Sequence, residues 1–229
     1  LALINNYSES PLVPKALYQV AGNLHALAIY SEASKAYEFY AANFSDREEA
    51  KEALRFAAIF RQGLGQLDQA IKNARSYMKI IGKSDPAKAA QVFFSLGKMY
   101  EKQEKWRQVI KHFQTYITKY GDVGKVDLKI EAYTRIGNAY MMGKRKNESR
   151  AQRAYKKAYE TFMALPDAEK ATLTTGRNAV AEARFKQGEK IFRDFSQMKL
   201  KIRSYRNVKR YVTEMTKKIG ARGKLIVEA

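Results

Sequence analysis

The sequence predicts an all-α protein, a solenoid of stacked helical hairpins. Three observations carry that prediction. The composition favours helix: the 229-residue chain has 4 Pro and 13 Gly against abundant Ala, Lys, Gln, Glu and Tyr. Strand signals are nearly absent, with no run of alternating β-branched residues bounded by turn clusters. And one pattern of apolar, small and aromatic residues returns four times along the chain. Hydrophobic residues make up 45%, enough to bury a core, so a disordered chain is not expected.

Residues 93–121 show the pattern most fully. Phe93, Leu96, Gly97 and Tyr100 lie on one face of a first helix; Val109, Phe113 and Tyr116 lie on one face of a second, which opens near Trp106. The same template fits residues 133–158 through Tyr133, Ile136, Gly137 and Tyr140, then Ala151, Tyr155 and Ala158, with an insertion in the 143–147 turn. It fits residues 17–40 without a gap, through Leu17, Val20, Ala21 and Leu24, then Ala33, Tyr37 and Tyr40. It fits residues 53–77 through Ala53, Phe56, Ala57 and Phe60, then Ala70, Ala74 and Tyr77, with one insertion near 63–65. The physical logic is uniform. A small residue such as Gly97 lets the two helices of a hairpin approach, and the aromatic residues fill the wedge between hairpins. A hairpin apolar on two faces cannot bury both alone, so it must stack on a neighbour.

Residues 164–229 depart from the template. Asp167, after Pro166, is expected to cap a helix starting near Ala168 and running to about Met198, a stretched first helix of a degenerate repeat containing Ala183, Phe185, Gly188, Ile191, Phe192 and Phe195. A break is expected over 199–203. A further basic helix follows from Ser204, with Tyr205, Val208, Tyr211, Val212 and Met215 on one face and Gly220 and Gly223 interrupting or ending it. Residues 1–11 read as the tail of a preceding repeat. Three regions are therefore expected: 1–11, a repeat tail; 12–163, about four repeats; and 164–229, a degenerate repeat with a basic helical extension that continues in a longer protein.

The residues quoted over 12–163 resemble the tetratricopeptide repeat, a helix–turn–helix unit of about 34 residues with an L-G-x-x-Y…A-x-x-x-F signature. The spacing here is a few residues wider, with longer links at 45–49, 83–88 and 121–126. The resemblance implies a right-handed superhelix of antiparallel helix pairs. It also implies a concave groove lined by the first, or A, helices, and an adaptor that binds peptides or protein domains. A narrower resemblance rests on residues 181–185, 195–200 and 223–225, which look like the C-terminal half of large envelope repeat proteins of gliding and predatory bacteria. It implies a periplasmic or envelope-associated scaffold and inclines the expected location away from the cytoplasm.

In the family, ligands meet particular positions of the A helices. Carried onto this sequence, those positions supply the candidate groove residues Lys15, Tyr18, Lys51, Leu54, Arg55, Arg61, Phe94, Lys98, Lys102, Arg135 and Asn138. The cations would select an acidic segment, and Tyr18, Leu54 and Phe94 would anchor it. Some family members clamp a C-terminal carboxylate with Lys, Asn and Arg. Here Thr134 stands where a Lys is expected beside Asn138, so the resemblance implies a looser acidic-peptide site.

Charge points the same way. The net formal charge is +20, but residues 1–70 carry 6 Lys/Arg against 8 Asp/Glu, so the basic character begins after the first third. The expected partner is an acidic protein. Nucleic acid, or an anionic lipid or cell-envelope polymer, is the alternative. It would be met by basic runs such as 144–146 and 199–210 with aromatics such as Tyr18 and Tyr205, although most of the 15 tyrosines fall at core positions of the repeat. There is no cysteine, which removes disulfides, zinc–thiolate sites and thiol catalysis. His25 and His112 lie on different repeats with no ligand partners beside them, so no metal site is expected. The 63–65 Gly-Leu-Gly string lacks the context of a phosphate loop. No catalytic constellation is legible, and neither enzyme activity nor a cofactor is expected. No apolar stretch approaches the ~18–20 residues of a membrane span.

Overall fold

The computed structural model describes residue 7, residues 10–197 and residues 208–228. Within these the chain is helical and contains no strand. Eight helices form four successive hairpins: α1 (Val13–Ala26) with α2 (Tyr30–Asn43), α3 (Glu49–Gly63) with α4 (Leu67–Ile81), α5 (Pro86–Lys102) with α6 (Trp106–Tyr120), and α7 (Val126–Met142) with α8 (Glu148–Met163). Three more follow: α9 (Asp167–Thr172), α10 (Thr175–Gln197) and α11 (Val208–Glu228). Each helix packs mainly on its neighbours in sequence, and α10 lies against both α7 and α8, as the first helix of a fifth hairpin would. No described helix is long and apolar enough to cross a membrane.

Local chemistry explains the helix ends. Pro14 and Pro86 sit in first turns, where no amide donor is needed. The Asp85 carboxylate accepts the Lys88 amide at 2.9 Å, and the Asn147 side chain accepts the Arg150 amide at 3.0 Å, each satisfying an orphan donor.

Three of the hairpin turns are one backbone device in three sequences. Ala28, Gly65 and Glu104 each take positive φ, at 58°, 75° and 54°. The following amide folds back in each case: Ile29 donates to Leu24 O at 2.9 Å, Gln66 to Arg61 O at 2.8 Å, and Lys105 to Tyr100 O at 3.0 Å. This is a left-handed helix stop that returns the chain within three residues. Only one of the three is glycine, so sequence hides the repetition. The fourth turn is longer and is closed by the Asn147 amide donating to Tyr140 O at 2.9 Å.

Two glycines make the hairpins tight. A Cβ on Gly97 would lie 2.4 Å from the Phe113 ring, and one on Gly137 would lie 2.3 Å from the Tyr155 ring. Phe113 and Tyr155 are almost fully buried. The core is a chain of clusters that bridge adjacent hairpins: Tyr37 and Tyr40 with Ala50, Ala53 and Ala57; Ala70 and Ala74 with Phe94 and Leu96; Ile130 and Tyr155 with Val180 and Ala183.

The turns correct the repeat register of the second hairpin. Arg61, not Phe60, is the counterpart of Leu24 and Tyr100, because it accepts the same turn-closing amide. Ala58, not Ala57, is then the counterpart of Gly97, and it packs with Ala70 and Ala74 of its own hairpin, whereas Ala57 joins the cluster of the preceding one. The expected insertion near 63–65 therefore does not exist. The template is displaced by one residue along α3. Ala50, Ala53, Ala57 and Ala58 satisfy either register, and hydrophobicity favoured Phe60 over a buried arginine.

The C-terminal region is corrected in three places. Asp167 is the first residue of α9, paired with Lys170 at 3.0 Å, and the cap position is Pro166. The expected continuous helix is two, because Leu173 turns extended (ψ 140°) and is buried against the last hairpin. Helix α10 restarts where the Gly176 amide donates to Asp127 Oδ1 at 2.7 Å. Helix α11 then runs through Gly220 and Gly223 without interruption. The expected break at 199–203 and Tyr205 lie outside the described residues, as does the expected repeat tail at 1–6, 8 and 9.

Candidate functional site

The A helices α3, α5 and α7 carry most of the candidate groove cations, and their surroundings decide how much charge they present. Arg61 is 8% exposed. Its guanidinium donates to both Glu38 oxygens, at 2.8 and 2.6 Å, and to Gln66. Burial pushes the Glu38 carboxyl up, but hydrogen bonds from Arg61 and Asn73 outweigh it and hold the pKa below the ordinary value. Arg135 is clamped between Glu101 and Glu131, and Lys98 reaches Glu131 at 3.1 Å. Burial raises the Glu101 pKa, and Arg135 only partly offsets it. Arg55 pairs with Glu52 at 2.6 Å and lies 4.3 Å above the Phe56 ring; Lys51 pairs with Glu48 at 2.9 Å. Of the candidate cations, Lys15 and Lys102 alone are exposed and make no ion pair among the described residues.

The three apolar candidates are turned inward. Tyr18 packs on Tyr37 and Tyr40 of α2, with ring centroids 5.7 and 5.1 Å away. Phe94 is 2% exposed and packs on Phe113 and Tyr116 of α6, both at 5.1 Å. Leu54 joins Tyr77 and Ile81 of α4. All three contribute area to their own hairpins. Asn138 donates to Glu182 Oε1 and accepts from the Tyr155 hydroxyl, both at 2.9 Å, which ties α7 to α8 and α10. A polar cleft of about 360 Å³ lies beside it, lined by Glu131, Thr134, Arg135, Thr175, Asn178 and Glu182.

Sequence reasoning missed the other side of the stack, built by the second, or B, helices. A cleft of about 770 Å³ lies between α2 and α4, over Leu54. Phe39 and Ile80 line it at 37% and 43% exposure, with Lys35, Lys72 and Lys79. A cleft of about 380 Å³ lies between α6 and α8, over Tyr133, Ile136 and Tyr140, with Arg150, Arg153 and Lys157 in its wall. A signal was available: Lys72 and Arg153 sit two residues after the equivalent Ala70 and Ala151, on the solvent side of their helices.

His112 is half-buried against the ring of Phe93. Its ring stacks on Phe93 with centroids 4.0 Å apart, and Nε2–H donates to the Phe93 carbonyl at 2.6 Å. Burial holds its pKa below the ordinary value. His25 sits among the rings of Tyr30, Tyr37, Phe56 and Phe60.

Four hairpins share one turn device or one glycine–ring approach, and each stacks on the next through alanine and aromatic positions of the repeat signature. The described residues fold as an α-solenoid of helical hairpins, the architecture that the repeat pattern predicts. No protein-family model and no curated protein sequence matches it. Among solved structures, the solenoid is similar to a putative kinesin light chain with nearly identical TPR-like repeats from Podosopora anserina (TM-score 0.45, 12% identity, covering 94% of this chain and 97% of that one). It is also similar to a tetratricopeptide repeat protein from Parabacteroides merdae (TM-score 0.44, 14% identity, covering 84% of this chain and 69% of that one). At that overlap neither likeness adds to the hairpin geometry, which carries the fold by itself.

Proposed function

We propose that this solenoid is a non-enzymatic interaction scaffold that holds an acidic segment of another protein. The observation that supports this reading is the pairing of open clefts between helices with exposed cations that make no ion pair among the described residues. Clefts with apolar floors and a few polar groups are where peptides bind, and unpaired cations in their walls favour acidic sequences. The expected groove on the A helices contributes through Lys15 and Lys102, and through surface pairs such as Lys51–Glu48, which are worth little and exchange easily. Arg61 and Arg135 hold the hairpins together and are not available to a partner without breaking buried pairs.

The reading is tested by retaining partners from native lysate on the immobilised chain at about physiological salt, with and without nuclease, and then rebuilding the complex from purified components. It predicts a nuclease-resistant protein that binds in isolation and loses binding when its acidic segment is neutralised. Retention of nucleic acid that vanishes after nuclease would replace it with the nucleic-acid alternative.

A further inference from the structure

The two clefts between B helices are the same structural feature at two hairpin junctions. In the first, Glu38, Ala41 and Ala42 of α2 form one wall; in the second, the register-equivalent Gln114, Ile117 and Thr118 of α6 do so. The opposite wall repeats as closely: Gln69, Lys72, Asn73 and Ser76 of α4 are matched by Arg150, Arg153, Ala154 and Lys157 of α8. Shape is thus repeated while the sequence in it changes.

Charge in the clefts is one-sided. In the first, Lys35, Lys72 and Lys79 are exposed and make no ion pair among the described residues. The one carboxylate lining it, Glu38, is hydrogen-bonded by Arg61 and Asn73 and feels the Lys72 charge more weakly. In the second, no carboxylate among the described residues lines the wall. Arg150 lies over the Tyr140 ring at 5.9 Å, Arg153 approaches the Ser149 hydroxyl, and Lys157 pairs with Glu160 at 2.8 Å outside the cleft. The A helices show the opposite arrangement, with Arg135 and Lys98 neutralised by Glu101 and Glu131.

We propose that the B-helix clefts, and first of all the one between α2 and α4, are the docking surface for an acidic segment of a partner protein bearing large apolar side chains. This rests on the scaffold reading and specifies where it acts. Apolar side chains of the segment lie on Leu54, Phe39 and Ile80, and its carboxylates meet Lys35, Lys72 and Lys79. Surface cations steer and select, while the apolar floor supplies most of the affinity. A volume of about 770 Å³ falls within the roughly 300–1,000 Å³ of sites that bury a ligand of several side chains.

The test uses the intact chain and a phage-displayed library of random peptides, each about 12 residues long, selected near physiological salt. The best peptide is synthesised, labelled and titrated by fluorescence anisotropy against four proteins: the parent, Lys72→Glu/Lys79→Glu, Arg150→Glu/Arg153→Glu, and the A-helix control Lys15→Glu/Lys102→Glu. All substituted residues are exposed, and a circular dichroism melt confirms folding. The proposal expects peptides rich in Asp and Glu with large apolar residues, bound at least about tenfold more weakly by one of the cleft variants and within about twofold by the control. Binding lost in the control and kept in both cleft variants overturns the cleft assignment and leaves the scaffold standing on its A helices. Selected peptides without acidic character, or no enrichment at all, overturn both.

Discussion

The approach of the two helices within a hairpin can be tested with a single methyl group. Alanine at Gly97 would place Cβ 2.4 Å from the tip of the Phe113 ring and 2.7 and 2.9 Å from its flanking carbons. Carbon atoms settle at about 3.5–4.0 Å, so the ring must retreat by about 1 Å. It has nowhere to go, being fully buried with the Phe94 ring 5.1 Å away on another side. Overpacking of this kind costs about 1–3 kcal/mol. Against it stands the gain of about 0.8–1.0 kcal/mol for alanine over glycine inside a helix. The net expectation for Gly97→Ala is a loss of about 1 kcal/mol. Gly22, inside α1, has no atom within 4 Å of a built Cβ, so Gly22→Ala should keep the whole propensity gain. The same substitution at two helical glycines should thus differ by about 2 kcal/mol, or roughly 4–8 °C in Tm for a chain of this size. Urea and thermal unfolding followed by far-UV circular dichroism read the difference. Equal stabilisation by both substitutions would refute the close approach. Gly97→Ala combined with Phe113→Leu should show favourable coupling, since the smaller side chain makes room.

Other consequences follow from the turns, the buried pair and the half-buried histidine. Glu104 holds a left-handed conformation that costs a side-chain-bearing residue about 1 kcal/mol or more, so Glu104→Gly should raise stability by about 0.5–1 kcal/mol in urea unfolding. Arg61→Ala leaves the Glu38 carboxylate with the Asn73 amide and the more distant Lys72 charge and should cost about 2–4 kcal/mol, less than breaking a fully buried pair because Glu38 keeps some exposure; an unchanged urea midpoint would show the pair to be inert. The His112 pKa is depressed by burial, so the folded chain binds fewer protons there than the unfolded one. Its contribution is present above the ordinary histidine value of about 6.5 and is lost as pH falls through the lower folded value. The Glu38 pKa is also depressed, so its contribution is present above about 4.5 and is lost at lower pH still. Stability should therefore fall in two stages on acidification, and His112→Gln should remove the upper one. A single stage at carboxylate pH in the parent chain would contradict the half-buried neutral imidazole.

Much of the fold was legible because the hairpin uses its residues in a fixed order. Gly97 against Phe113 and Gly137 against Tyr155 are readable as a small residue facing an aromatic one, and both pairs meet as the template requires. The slip along α3 arose where the pattern is degenerate: a helix with alanine at several adjacent faces accepts two registers, and the deciding residue is an arginine whose burial depends on Glu38 of the preceding helix. No local pattern carries that information. The split between α9 and α10 likewise depends on Leu173 finding room against the last hairpin. The candidate groove was less legible than the fold. Sequence counts cations but not their partners, and Arg135, Lys98 and Arg61 acquire theirs from other helices. Lys35, Lys72 and Lys79 become one cationic wall only once α2 and α4 stand side by side.

In the docking proposal, this solenoid offers its usable positive charge on the B-helix side. The most direct measurement is a titration of the isotope-labelled chain with an acidic, apolar-bearing peptide, followed through backbone amide chemical shifts. Docking in the B-helix clefts should concentrate the perturbations in α2 and α4 around Phe39, Lys72 and Ile80, with weaker effects between α6 and α8. Perturbations confined to α3, α5 and α7, centred on Lys98, Lys102 and Arg135, would contradict it.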